Sequence, residues 1–142
     1  RPTRHHPQPP RTPAVRVVGD PHGRRMRTKD QLGKAGEDFA VRHLIGAGFD
    51  IVTRNWRCDA GEIDIVACDG SDLVIVEVKT RSSTDYGVPA EAVTWQKAAK
   101  LRELAVRWLR EHPTPQSVRF DVISIVMPRN GRTQLQHYRG VL

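Results

Sequence analysis

The chain has 142 residues, 38% of them hydrophobic and 27% charged, a length and balance that suit one domain with a real core. Composition excludes collagen, coiled coil and low-complexity fibre, and the longest apolar run, Leu73–Val78, is interrupted by Glu77 and falls short of the roughly 18–20 residues a membrane helix needs. The formal net charge is +7 with a pI near 10.1, which by itself suggests a polyanionic partner such as nucleic acid. Its distribution weakens that inference. Residues 1–29 hold eight Lys and Arg against one acid, Asp20, whereas residues 30–142 hold 15 of each sign, so the whole excess sits at the start of the chain.

Residues 1–27 contain six of the ten prolines and few large apolar side chains. Such a segment cannot bury enough surface to offset its ordering entropy, so residues 1–28 are expected to form a disordered basic Pro/Arg-rich tail. One role for it is an arm lying along phosphates. The blander account, which is the expectation here, is an extension without function, with Met26 as an alternative start. The opening residues lack a hydrophobic stretch, so no signal peptide is expected. The two cysteines, Cys58 and Cys68, are too few for a disulfide scaffold or a four-cysteine zinc site. A cytoplasmic compartment and no membrane contact follow as expectations.

The domain is expected over 29–142. Leu32, Ala35, Phe39, Leu44 and Ala47 recur close to helical spacing, so residues 29–47 read as an amphipathic helix ended by Gly46 and Gly48. Phe49–Asn55 reads as a first strand. Gly61–Cys68 alternates, with Ile63, Ile65 and Ala67 assigned to one face and Glu62, Asp64 and Val66 to the other. Asp69-Gly70 signals a tight turn. Leu73–Lys79 is almost wholly apolar, as for a strand covered on both faces. A helix over about Ala90–Glu111 lies between Pro89 and Pro113, with Leu101, Leu104 and Trp108 on its inner face. Val118–Met127 is a further buried strand, Asn130-Gly131 a turn, and Gln134–Tyr138 a short last strand. This order predicts an α/β fold in which a three-strand meander is flanked by two helices.

Charge interrupts these strands in an informative way. Glu77 and Lys79 sit at the end of the most apolar strand, on the same face and roughly 6.6 Å apart along it. The meander brings Asp64 beside Glu77. Adjacent carboxylates in a buried strand cost several kcal/mol unless paired with a cation. Lys79 could supply that cation as a buried ion pair. Alternatively, Asp64 and Glu77 could hold a hard divalent cation, Mg²⁺ or Mn²⁺, with Lys79 stabilising charge at a phosphate. Spacing alone favours the ion pair.

Asp64, a hairpin, Glu77-Val78-Lys79 and a preceding helix bearing Glu37 resemble the PD-(D/E)XK nuclease superfamily. Gly33-Lys-Ala-Gly-Glu-Asp-Phe-Ala40, Asn55-Trp-Arg57, Gly61-Glu-Ile-Asp64, Val76-Glu-Val-Lys-Thr-Arg81 and Arg119-Phe-Asp-Val122 resemble, in this order, the YraN-like family, UPF0102. Ile63 stands where the superfamily motif often has Pro. The resemblance implies a restriction-endonuclease-like αβββαβ fold, with a central mixed sheet flanked by helices. It further implies Asp64 and Glu77 as ligands of Mg²⁺ or Mn²⁺, Lys79 as catalytic lysine and Glu37 as an auxiliary acid. The implied activity is metal-dependent hydrolysis of phosphodiester bonds in DNA, branched or structured DNA included. A non-catalytic nucleic-acid-binding module is the alternative. Junction resolvases of this fold act as dimers, so a homodimer is among the implied partners.

Arg57 and Arg81 are read as phosphate contacts, against mere balancing of Asp59 and Asp85. Lys97, Lys100, Arg107 and Arg110 form a stripe that could track a nucleic-acid backbone or be a solvated face. Trp95 is read as core, with base stacking as the alternative. Arg81–Pro89 would be a flap over substrate. Glu62 is either rim or ligand, and Asp121 is read as structural. His43, His112 and His137 show no ligand spacing.

Overall fold

In the computed structural model the described residues are 28–83 and 94–142. The expected tail up to Arg27, most of the proposed flap, Asp85 and the stretch around Pro89 therefore lie outside them. The first helix, α1 (Lys29–Gly46), starts at a capping box. The Thr28 hydroxyl accepts from Gln31 N, and Gln31 Oε1 accepts from Thr28 N, both at 3.1 Å. Four strands and a second helix follow: β1 (Asp50–Cys58), β2 (Gly61–Asp69), β3 (Asp72–Arg81), α2 (Trp95–Glu111) and β4 (Ser117–Val126), with β5 (Gln134–Tyr138) last. The sheet order is β1-β2-β3-β4-β5. Among the described residues only β3 and β4 pair in parallel, with α2 in the crossover between them. This is the restriction-endonuclease-like αβββαβ arrangement, a mixed sheet flanked by two helices.

The β2–β3 hairpin closes at Asp69↔Asp72, with Gly70 at a φ of 58° where a side chain would be strained. Beyond it β3 feeds two cores by alternation. Val74 and Val76 join Ala40 and Leu44 of α1, together with Ile65, Ala67, Ile123 and Ile125. Leu73 and Ile75 join Leu104, Ala105 and Trp108 of α2. The expectation of a strand covered on both faces is met, as is the apolar inner face of α2.

The face assignment of β2 needs correction. Ile65 and Ala67 do pack in the α1 core, but Ile63 lies with Val66 in the α2 core. The regular alternation breaks at Asp64. The β2–β3 rungs begin only at Ile65↔Val76, and the Asp64 carboxylate, not its backbone, receives the Val78 amide. Strand β1 likewise runs on past Asn55 to Cys58.

Helix α1 approaches β3 unusually closely at Gly36. A Cβ at that position would lie 1.9 Å from the Thr80 hydroxyl oxygen. Only glycine lets the helix settle at this height, which brings the next residue, Glu37, down to the end of β3 that carries the charges.

Candidate active site

The charged end of β3 lies beside a cleft of about 920 Å³, lined by α1, β1, β2 and β3. Among its lining residues are Glu37, Asn55, Arg57, Glu62, Asp64, Lys79 and Arg81. Glu77 sits just behind, buried to 8% exposure.

Glu77 and Lys79 share a face as expected, with Lys79 Nζ 3.4 Å from Glu77 Oε1. A second ammonium reaches the same oxygen. Lys97 Nζ, from the first turn of α2, lies 2.8 Å away. Burial, reinforced by the neighbouring Lys97, lowers the pKa of Lys79. The ion-pair reading of Glu77 and Lys79 is thus present in the structure, extended by a residue that the sequence did not connect to it.

Asp64 has a different setting. Its Oδ2 accepts from Val78 N at 2.8 Å. Burial pushes the carboxyl up to about 7, and Glu77, Glu62 and Glu37 add to the rise against that one hydrogen bond. The expected neighbour relation of Asp64 and Glu77 is therefore met in the electrostatics. A carboxyl held near neutrality among other acids is one that a cation would stabilise.

Glu37 faces the cleft and does not pair with Lys34. Its Oε1 accepts from Arg54 Nε at 3.0 Å and from Asn55 Nδ2 at 2.9 Å. Asn55 adopts a φ of 51°, a left-handed conformation that Asn tolerates better than most residues. Arg54 and Asn55 are thus the positioning residues that sequence reasoning did not assign. The one available signal was an Asn in the middle of a strand, where that residue is disfavoured.

The remaining expectations divide. Arg57 lines the cleft, and its counter-ion is Glu62 at 3.1 Å rather than Asp59. Glu62 is accordingly a half-exposed rim residue. Arg81 lines the cleft at the end of β3, where its carbonyl accepts from Met127 N. Lys100 does not reach the cleft lining; it pairs with Glu103 at 3.7 Å on the α2 surface. Arg107 binds Asp59 at 2.6 Å, so three of the four stripe cations, Lys97 included, have acidic partners within the chain. Trp95 is not core: it is 77% exposed at the start of α2.

Asp121 is structural, as read. It accepts two bonds from Arg119 at 2.9 Å, one from His137 Nε2 at 2.8 Å and one from Gly140 N at 3.0 Å. Burial alone would raise its pKa, but these bonds outweigh it and hold the carboxyl down to about 2. His137 Nδ1 in turn meets His43 Nε2 at 3.1 Å, a contact that no local spacing could announce.

Among the described residues no three His, Cys, Asp or Glu side chains are gathered closely enough to hold a metal ion. Mg²⁺, however, needs only one or two protein carboxylates and completes its shell with water and phosphate. The raised Asp64 carboxyl beside Glu77 fits that demand.

The αβββαβ fold with acids and a lysine at the end of its third strand defines a restriction-endonuclease-like protein in architecture. Residues 36–125 match the model of "Uncharacterised protein family UPF0102". The chain is 55% identical over 116 residues to a UPF0102 protein of Frankia casuarinae, covering 81% of this chain and 98% of that relative. It is 52% identical over 117 residues to one from Beutenbergia cavernae, covering 82% and 99%. The chain belongs to the UPF0102 family. Among the described residues no helix is long and apolar enough to cross a membrane.

Proposed function

We propose that this protein is a nuclease of PD-(D/E)XK type, a metal-dependent phosphodiesterase acting on DNA, with branched or structured DNA as substrate. The observation that carries this reading is the convergence of Asp64, Glu77 and Lys79 beside a cleft of about 920 Å³. Asp64 and Glu77 would hold Mg²⁺ or Mn²⁺, which when bound supplies an acidified water and neutralises phosphate charge.

The other residues then have definite tasks. Lys79 lines the cleft and brings an ammonium to the charge developing on the phosphate. Its lowered pKa also eases proton transfer at Nζ. Glu37, held by Arg54 and Asn55, presents an auxiliary acid to the same space. Arg57 and Arg81 contact flanking phosphates from the rim. Cytoplasmic residence suits the two free cysteines. A homodimer would let two such sites cut opposite strands of a junction.

The test is a panel of single-stranded, flapped, nicked and four-way DNA, with Mg²⁺ and Mn²⁺, using the full chain. Cleavage of at least one substrate is expected, with a loss of about 100-fold or more in Asp64→Asn and in Lys79→Ala. Cleavage that survives both substitutions overturns the assignment. The alternative is a nucleic-acid-binding module without catalysis, although the pairing of Lys97, Lys100 and Arg107 with internal acids leaves those three cations less available to phosphates. It predicts DNA binding without cleavage, unaffected by Asp64→Asn.

A further inference from the structure

Glu77 carries more positive charge than one carboxylate needs. Lys79 and Lys97 both place Nζ on the same oxygen, Oε1, at 3.4 and 2.8 Å. Glu77 itself is buried to 8% exposure, while both ammoniums are partly open to water. The two lysines are not equivalent. Lys79 issues from the central strand. Lys97 issues from the first turn of α2, where its backbone N donates to the Thr94 hydroxyl at 3.2 Å, so the helix start is held without its side chain. The Lys97 side chain is also the more open of the two, 36% exposed against 28%. It can swing into water while α2 stays in place.

With Asp64 and Glu77 ionised, their two negative charges and the two ammoniums sum to zero. A divalent cation brought between the carboxylates would raise that sum to +2 around the buried Glu77 carboxylate. Loss of one ammonium relieves half of it, and Lys97 is the one with a path to solvent.

We infer that Lys97 is a displaceable counter-cation: it occupies on Glu77 the place a divalent ion takes, and leaves when that ion binds. This rests on the metal-site reading above. Displacement frees an ammonium at the α2 start as the site is loaded. Lys97 then acts as a positioning residue, keeping Glu77 neutralised until metal arrives and lowering the affinity for metal by competition.

Calorimetric titration of Mn²⁺ into the full chain tests this without reference to cleavage. Lys97→Met is expected to bind Mn²⁺ about tenfold more tightly than the wild type. Lys97→Arg, which keeps the charge, and Lys100→Met, which removes a lysine from the same helix, are expected to bind no more tightly than the wild type. Circular dichroism reports whether each variant is folded, and Lys97→Gln carries the same expectation should Lys97→Met fail to fold. Equal or weaker Mn²⁺ binding in the folded Lys97 variants overturns the displacement and leaves the metal site standing. Absence of Mn²⁺ binding in the wild type and in these variants overturns both.

Discussion

Asp64 and Asp121 are two aspartates of the same sheet with opposite fates. Asp121 receives four hydrogen bonds and is held down to about 2. Asp64 receives one and is pushed up to about 7 by burial and by three neighbouring glutamates. Burial is common to both, so burial does not decide the outcome; the number and sign of the partners do. A carboxylate fully supplied with donors is finished as structure. One left among acids at the edge of a cleft has its charge unmet.

The strongest way to break this contrast is at the satisfied end. Asp121→Ala takes the acceptor from His137 Nε2 and from Nε and Nη2 of Arg119, which keeps Asp69 and Asp72 at Nη1. A loss of about 3–5 kcal/mol in urea unfolding is expected. A loss below about 1 kcal/mol would mean that the network is no more than a surface pair.

Next in size are two glycines of α1, three residues apart. Gly36→Ala drives a methyl into Thr80 and is expected to cost about 1–3 kcal/mol. Gly33→Ala meets nothing within 4 Å, and there the gain in helix propensity, about 0.5–1 kcal/mol, should appear as added stability. Chemical denaturation of the two variants side by side reads the difference.

The two aspartates respond to pH with opposite sign. An acid raised in the folded state holds its proton more tightly there than when unfolded. Asp64 therefore favours the fold while protonated, and that contribution is lost as pH rises from the ordinary carboxylate range through about 7. Asp64→Asn removes the dependence. Its stability relative to wild type should climb between about pH 4 and 7, by at most about 1.4 kcal/mol per unit. Asp121 has the opposite sign: its contribution is present above the ordinary range and lost as pH falls toward about 2. The smallest effect belongs to Arg57→Ala, whose exposed pair with Glu62 should change stability by less than about 0.5 kcal/mol while weakening DNA binding.

Much of this was legible in the sequence because it is local. A strand that is apolar until Glu77 and Lys79 shows both its burial and its exception, and Asp69-Gly70 shows how Asp64 is returned beside it. What was not legible depends on side chains that meet only after folding. The face of Ile63 turns on the Asp64 carboxylate taking the Val78 amide, a choice invisible to period-two alternation. Arg54 and Asn55 are assigned only once α1 lowers Glu37 onto them. Lys97 looked like one member of a helical charge stripe until the crossover set it against Glu77. Trp95 departs from the core expected of a tryptophan because it is the first residue of α2, ahead of Ala98, the first buried residue of that helix.

The position of β3 has a mechanical consequence. It is the middle strand, clamped by an antiparallel neighbour on one side and ten parallel rungs on the other, and it feeds both cores. Its amide protons should be among the slowest in the molecule to exchange with solvent, since exposing them requires parting the sheet at its centre. Glu77 and Lys79 are thus mounted on the segment that opens last, so any movement at the cleft falls to its walls and not to its floor.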